Sequence, residues 1–300
     1  MNNKKMIIGS VKIGDGCKPI TIAEAAVEHL GSINVAMRMA DSAKDMGADF
    51  IKFQMHIPEE EMIPNVIKFW GGSLDEILEN YNLTINEHKL LIEYCSEIGI
   101  EYLCTPFCPE AVDVLDKLGV KGYKTGSGEM SNFPLMKRIS ETGKPVIIST
   151  GMSTIDEIRE TVDYMKSLKA DFMLTNCTSI YPSPYEAINL KLIPKYRKEF
   201  DVLIGHSDHT SDMWTSLGAI TLGACVIEKH FTLSRALKGP DYLVSLEPKE
   251  FDEMIKAIGK IYLALGDEKI LHEQEVQVKD WAHHSVVAVK DIRKGDVINK

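Results

Sequence analysis

Two histidines, a serine and an aspartate stand together in IGHSDHT (residues 204–210), directly after the apolar Val202, Leu203 and Ile204. Imidazoles and carboxylates are the groups that ligate divalent metals and move protons near neutral pH. The same residues also suit a helix start, because Ser207, Asp208, Thr210 and Ser211 are all good capping types for the helical stretch near 212. Residues three apart on an extended chain point to opposite faces, so His206 and His209 should not share a site. Either could pair with His230, which ends the run CVIEKHFT (225–232). No cysteine accompanies these imidazoles, so a site completed by water or substrate oxygen suits manganese or magnesium better than structural zinc.

A second chemistry is suggested by Lys52 in DFIKFQ and Lys124 in GYKTG. A lysine flanked by apolar residues is costly unless it is paired. One such lysine reads equally well as half of a structural ion pair. Two of them, ringed by Thr105, Ser127, Ser149, Thr150, Thr178, Ser179 and Ser207, read as a cradle for phosphate or carboxylate, with ammonium charge and hydroxyl donors. GSGE at 126–129 is no Walker loop, since neither Lys-Ser/Thr nor a long helix follows it. By itself it predicts a tight turn.

The elements that must position these residues are eight short runs rich in β-branched or aromatic residues. They are ITIAEAA (20–26), DFIKFQM (49–55), EYLCTPF (101–107), GYKTGSGE (122–129), PVIISTG (145–151), FMLTNCTS (172–179), DVLIGHSD (201–208) and CVIEKHFT (225–232). Helix-period segments lie between them, most clearly NVAMRMADSAKDMG, TIDEIRETVDYMKSLK and PKEFDEMIKAIGKIYLALG. Gly47, Gly99, Gly119, Gly143 and Gly223 stand where helices should stop before the next strand. Eight strand–helix units with near-continuous apolar strands predict an α/β fold, a (β/α)8 TIM barrel over residues 20–266. A doubly wound open sheet would carry a Gly-rich turn after its first strand, and EAAVEHLGS has none. Residues 1–19 are expected to form a hairpin plugging one end, and the polar segment 267–284 a linker. SVVAVKDIRKGDVI, within 285–300, alternates like a strand followed by a turn and reads as the first elements of a second, incomplete domain.

In such a barrel the active site lies at the carboxyl ends of the strands. The run ends place there Glu24 with Glu28 and His29, Lys52 and Gln54, Thr105, Lys124 with Ser127 and Glu129, Ser149, Ser179 and Tyr181, Ser207 with His209, and Glu228 to His230. Composition restricts the partners. The 300 residues are 44% hydrophobic and 26% charged, with a net charge of −10 and no basic stripe, which argues against a nucleic-acid surface. An anionic substrate stays open, because lysines inside a pocket set the local field. No stretch is apolar enough to span a membrane and no signal peptide opens the chain, so a cytoplasmic protein is expected. The six cysteines, at 17, 95, 104, 108, 177 and 225, form no zinc framework, and four sit in or beside apolar runs as small core residues.

Taken together, GADFIKFQ, TPF (105–107), YKTGSGE, STGM (149–152), CTSIYPSP (177–184), SDHT (207–210), EKHFT (228–232) and GPD (239–241) resemble, in order and spacing, the sialic acid (N-acetylneuraminate) synthase family, including legionaminic and pseudaminic acid synthases. That resemblance implies condensation of phosphoenolpyruvate with an N-acylated amino sugar, either N-acetylmannosamine or a di-N-acetylated deoxyhexose, to give a nonulosonic acid and phosphate. It further implies a divalent metal ion and a homodimer. Carried over by residue, it makes His209 and His230 the metal ligands and leaves His206 to the core. Lys52, Thr105, Lys124, Ser127, Ser149 and Ser207 become contacts to phosphoenolpyruvate. Gln54, Glu129, Tyr181 and Asp241 face the sugar and the reacting carbons, Glu24 sits beside the metal-bound end, and Glu129 is the proton-transfer group.

This chain also departs from the family pattern. EAAVEHLG stands where members carry E-I-G-x-N-H, so Glu28 replaces an amide, and Ser179 stands where some have Asn. Residues 285–300 resemble only the opening of the family's C-terminal antifreeze-like (SAF) domain, which in the family lends an arginine to the partner's barrel. One alternative is a 3-deoxy-sugar-acid synthase for a phosphorylated aldose, which would need extra arginines; Arg235 is the one that falls at a strand end. Another is a non-catalytic sugar-phosphate-binding barrel.

Overall fold

Each of the eight runs forms a strand in the computed structural model, which describes residues 4–66, 68–69 and 72–298. These are β1 (Ile20–Ala26), β2 (Phe50–Met55), β3 (Glu101–Pro106), β4 (Tyr123–Lys124), β5 (Val146–Ser149), β6 (Phe172–Cys177), β7 (Ile204–Asp208) and β8 (Val226–His230). All neighbours pair in parallel, in the order β3-β2-β1-β8-β7-β6-β5-β4. β3 and β4 lie side by side across the remaining seam. The result is a (β/α)8 TIM barrel. β4 is far shorter than the run GYKTGSGE, because Gly126 and Gly128 add no side chain to pack and the backbone turns into a short 3-10 segment at Ser127–Glu129.

A barrel helix follows each strand: α1 (Ile33–Met46), α2 (Ile85–Ile98), α3 (Pro109–Leu118), α4 (Phe133–Glu141), α5 (Ile155–Ser167), α6 (Leu192–Phe200), α7 (Trp214–Thr221) and α8 (Pro248–Ala264), with two shorter helices, Pro58–Glu61 and Leu74–Tyr81, in the loop between β2 and α2. α2 and α5 open with reciprocal caps between Thr84 and Glu87 and between Thr154 and Glu157. Gly47, Gly99 and Gly119 end α1, α2 and α3 in the left-handed conformation, as expected.

Side-chain alternation divides the barrel lumen into layers. The inward residues at the amino ends are apolar: Ile20, Ile22, Phe50, Leu103, Ile147, Met173, Leu203 and Val226. Below them the antiparallel hairpin Lys5–Ile8 with Val11–Gly14 inserts Met6, Ile8 and Ile13, plugging that end. Burial of each such side chain contributes roughly 1.5–3 kcal/mol. Two residues further along each strand the inward position turns polar, because a strand repeats every second residue. That step brings in Glu24, Lys52, Thr105, Lys124, Ser149 and Glu228, and in β7, beyond Gly205, Ser207 follows one step later. The outward residues of the same strands, among them Ile51, Phe53, Ile148, Leu174 and Ile227, pack against the helices. Gly205 in β7 has a local reason: a Cβ there would stand 2.9 Å from Val226 Cβ and from the Val226 carbonyl.

Residues from Leu265 onward form a second unit. It contains α9 (Glu273–Ala282), inside the segment expected to be a linker. The segment lacks a strong apolar stripe, but Glu, Gln, Lys and Ala favour helix, and the Glu275 carboxylate accepts from the His272 amide at 3.0 Å. The strand expected in SVVAVKDIRKGDVI does not form among the described residues, and an antifreeze-like domain is not seen. An isolated strand has no neighbour for its backbone hydrogen bonds. The turn does form, around Gly295 at φ +99°, with the Arg293 amide donating to Asp296 at 2.7 Å. Residues 1–3 of the hairpin segment and 299–300 of the C-terminal segment lie outside the described residues. No described helix is long and apolar enough to cross a membrane.

Candidate active site

A cavity of about 170 Å³ opens at the carboxyl end of the barrel, above the apolar lumen layer. The strand register explains who meets there. Glu24 pairs across to Lys52, His230 to Glu24, Ser207 to Glu228 and Cys177 to Ser207. Of the sequence-predicted site residues, Glu24, Lys52, Gln54, Thr105, Lys124, Ser127, Ser149, Tyr181, Ser207, His209, His230 and Asp241 all line this cavity.

The two lysines converge from opposite sides on a residue that the sequence reading did not select. Lys52 Nζ lies 2.8 Å from Glu24 Oε2 and 3.2 Å from Glu228 Oε1, and Lys124 Nζ lies 3.2 Å from Glu228 Oε2. Ser207 Oγ donates to the same Glu228 carboxylate. Lys52 also donates to Thr105 Oγ1 at 2.8 Å, and the Ser127 and Ser149 hydroxyls meet at 2.8 Å. Burial alone would discharge Lys52, but Glu24 and Glu228 outweigh it and raise its pKa. Burial likewise opposes the Glu228 carboxylate, and the two ammonium groups overcome it and hold its pKa low. Glu24 goes the other way: burial pushes its carboxyl up, with Lys52 only partly offsetting that. Its Oε2 meets the Lys52 ammonium yet makes no aligned hydrogen bond. The ion-pair and anion-cradle readings of the lysines are therefore not exclusive, since the partner carboxylate sits in the cavity itself.

Beside this cluster, the His209 and His230 rings stand 5.3 Å apart, centroid to centroid. Tyr181 lies 4.1 Å from His209 and meets His230 edge-on at 5.8 Å. His209 Nδ1 donates to the Thr178 carbonyl at 2.7 Å, the usual second contact of a metal-ligating imidazole, and Nε2 is the nitrogen left to a ligand. His230 Nδ1 is buried without a hydrogen bond, 3.6 Å from Asp241 Oδ2, and burial lowers the pKa of His230 well below the usual histidine value. Burial opposes charge on His209 as well, but Cys177 and the Thr178 carbonyl outweigh it and raise its pKa, so a divalent ion held by the two imidazoles would have to displace a proton there. No group of three or more metal-ligating side chains stands ready among the described residues, so other ligands would come from water or substrate. His206 faces the opposite side of β7, where its Nδ1 donates to the Asn176 carbonyl at 3.0 Å.

Asp241 reaches the cavity because Glu28 holds its loop: the Asp241 amide donates to Glu28 Oε1 at 2.7 Å. Gly239 is needed beside it, since a Cβ there would lie 2.5 Å from that carboxylate. Glu28 thus holds backbone at the position where an amide was expected. Burial pushes the Asp241 carboxyl up to about 6, against the pull of His209 and Lys52.

Two expected site residues are not brought into the cavity. Glu129 follows the 3-10 turn, half-buried, and accepts from Asn132 Nδ2 at 2.6 Å; burial raises its pKa. Ser179 lines a neighbouring groove with Thr150 and Met152, its Oγ 3.9 Å from Cys177 Sγ. Conversely, Cys177 and Phe107 line the cavity unforeseen. Cys177 Sγ lies 3.4 Å from Ser127 Oγ and 3.8 Å from His209 Nδ1. Burial opposes its thiolate, but His209 prevails and lowers the pKa to about 7, whereas burial raises Cys95 and Cys104 to about 12. Strand alternation places Cys177 inward, two residues beyond Thr175, and that signal was available in the sequence. Arg235 does not line the cavity; its guanidinium engages Glu250 at 2.6 and 3.1 Å.

Fold and site together define a TIM barrel with a cavity at the carboxyl ends of its strands, lined by paired lysines and carboxylates and by two imidazoles. The NeuB family model matches residues 39–270, and the chain belongs to the NeuB family. It is 37% identical to the N,N'-diacetyllegionaminic acid synthase of Campylobacter jejuni, over 94% of this chain and 88% of that protein. It is 34% identical to the human N-acetylneuraminate-9-phosphate synthase, over 92% of this chain and 80% of that protein. Among solved structures, the N-acetylneuraminic acid (sialic acid) synthetase of Leptospira borgpetersenii superposes with a TM-score of 0.83 at 31% identity, covering 93% of this chain and 97% of that one.

Proposed function

We propose that this chain condenses phosphoenolpyruvate with an open-chain N-acylated amino sugar to give a nonulosonic (sialic-type) acid and phosphate. The observation that carries the reading is one cavity holding both the buried Lys52–Lys124 cradle and the His209–His230 pair. The synthase names of the relatives support it. In the reaction, the enol carbon attacks the sugar aldehyde, water adds at C2 of the former enol, and the resulting tetrahedral carbon expels phosphate.

Lys52 and Lys124, with Thr105, Ser127, Ser149 and Ser207, bind the carboxylate and phosphate. Glu228 holds both ammonium groups in place beforehand, so little reorganisation accompanies binding. His209 and His230 would hold a divalent ion, manganese or magnesium, which supplies Lewis acidity to the sugar carbonyl when bound. Gln54, Tyr181 and Asp241 orient the sugar. Glu24, its carboxyl pushed up by burial, is suited to hold a proton in the cavity, with Glu129 a candidate at a further remove. A phosphorylated aldose as acceptor is disfavoured, because no arginine lines the cavity among the described residues. A homodimer is part of the proposal and rests on the family resemblance.

The test is phosphate release from phosphoenolpyruvate over a panel of N-acyl mannosamines and di-N-acetylated deoxyhexoses, with and without divalent metal. Release is expected only when sugar and metal are both present. If no sugar in the panel elicits it, the synthase reading is wrong.

A further inference from the structure

Beyond the cavity wall, a buried histidine closes a chain of contacts that the proposed reaction does not use. His56 follows β2 directly and is 7% exposed. Its Nδ1 lies 2.8 Å from Glu61 Oε2, and its Nε2 lies 3.1 Å from Gln54 Oε1. Gln54 in turn donates from Nε2 to Glu24 Oε1 at 3.3 Å, inside the cavity. The other Glu61 oxygen accepts from the Ile57 amide at 2.6 Å, and Asn82 Nδ2 donates to the His56 carbonyl at 2.6 Å. The His56 ring stacks on Phe107, another cavity residue, at 4.1 Å with 16° between planes.

These contacts determine which way the Gln54 amide faces. An ionised Glu61 can only accept, so Nδ1 of His56 must carry a proton. While Glu24 is ionised, its Oε1 accepts from the Gln54 NH2, which turns Oε1 of Gln54 toward His56 and requires a proton on Nε2 as well. With a single ring proton, one of the two contacts would set acceptor against acceptor, and the amide of Gln54 would gain by rotating. Its carbonyl would then point at the Glu24 carboxylate, and its NH2 away from the cavity.

We propose that His56, held by Glu61 and stacked on Phe107, is a positioning residue that fixes the Gln54 side-chain amide with its NH2 turned toward Glu24 and the cavity. The inference rests on the synthase reading for its kinetic consequence, though not for its geometry. His56 touches neither imidazole of the His209–His230 pair, and it acts on the substrate only through Gln54 and Phe107.

The experiment is a double-substitution cycle on the full chain. His56→Ala is expected to lower kcat/KM for the amino sugar about tenfold while leaving KM for phosphoenolpyruvate within about twofold. In a Gln54→Ala background, adding His56→Ala is expected to cost less than about twofold, because residues acting through one another are non-additive. The same tenfold loss in both backgrounds, or no loss in the first, overturns the proposal. Where His56→Ala does not fold, judged by thermal melting, Glu61→Gln takes its place in the cycle with the same expectation. A readout independent of turnover is the 15N spectrum of the His56 imidazole. Two protonated ring nitrogens are expected in the wild-type chain and only one in Glu61→Gln; an unprotonated nitrogen in the wild-type ring overturns the proposal. If no sugar supports turnover, the synthase reading fails alone, and the ring spectrum still decides this one.

Discussion

Strands β7 and β8 carry two polar clusters back to back, built from the same residue types. On the outer face, Asp208 lies 3.3 Å from Lys229 and accepts from the Thr210 amide at 2.8 Å and from the Thr215 and Ser216 hydroxyls at 2.6 Å each. His206 stands alongside, its Nε2 3.9 Å from Asp208. On the inner face, Ser207, His209, Glu228 and His230 meet Lys52 and Lys124. Both clusters are buried, and both pair lysine with carboxylate beside an imidazole. They differ in where the partners come from. Asp208 is answered by its own strand end, the first hydroxyls of α7 and the next strand, so the outer cluster is a local closure that ties α7 to the sheet, although the N-cap residue of that helix makes no side-chain cap. The inner cluster draws its partners from across the lumen, and all six of its residues line the cavity, against Asp208 alone from the outer one. Local closure supports a fold, whereas convergence on open space supports binding.

The largest expected break is on the inner face. His209→Ala and His230→Ala should each lower sugar-dependent phosphate release by about 10⁴-fold, ~5 kcal/mol in barrier, because the Lewis-acid contribution goes with the ion. The thermal midpoint should change little, since residues at this end of a barrel serve function more than stability. Calorimetric metal titration checks the cause: wild-type affinity in the double variant would remove both residues from the ligand role.

The matching substitution on the outer face should do the reverse. Lys229→Met leaves Asp208 buried without its cation, which costs about 3–5 kcal/mol of stability. Urea unfolding would measure it. In the folded fraction, phosphoenolpyruvate affinity should stay within about twofold of wild type, because the nearest cradle groups lie on the other side of the sheet. A large loss of affinity without loss of stability would show that the two faces are not separate.

This division was partly legible in the sequence. The eight runs, their alternation and the glycine stops gave the barrel, and alternation separated His206 from His209 before any coordinates. Glu228 falls among the strand-end residues in the run VIEKH, but its type and position alone assign it no role. Only the register shows that Lys52 and Lys124 reach it from opposite sides. Glu129 and Ser179 stand outside the cavity lining for a related reason: each lies beyond its strand, where a turn and not the strand period decides direction. His56 carried no signal at all, because its partner Glu61 sits in a loop helix after β2. Cys177 was read as core by its apolar neighbours, although its strand position faces inward.

A smaller effect is expected from Lys124→Met, which repeats the Lys229 substitution on the inner face. Glu228 keeps Lys52 as a partner, so the stability loss should be below that of Lys229→Met. Phosphoenolpyruvate should lose a charge-assisted contact, about 1.5–3 kcal/mol or roughly ten- to a hundredfold in affinity. Amino-sugar affinity should fall by less than about threefold. Separate titrations of each ligand check this, and equal losses for both would return Lys124 to a structural role.

The smallest effect belongs to His206→Gln, which sharpens the comparison at its narrowest point, three residues from a proposed metal ligand. His206 is fully buried, and its one good hydrogen bond is the Nδ1 donation to the Asn176 carbonyl. A glutamine amide can donate in its place, so the stability change should be about 1 kcal/mol or less. Its side chain lies among β7 and its outward neighbours, and the substitution adds no charge to either cluster. Turnover should therefore stay within about twofold, and metal stoichiometry should be unchanged. The same exchange at His209 removes an imidazole facing the cavity and should abolish metal binding. Chain proximity makes the two histidines look equivalent, while alternation buries one on the outer side of β7 and turns the other toward the cavity. A His206→Gln variant that loses metal or turnover as His209→Gln does would mean that the outer cluster reaches the reaction through β7, and the separation of faces would have to be given up.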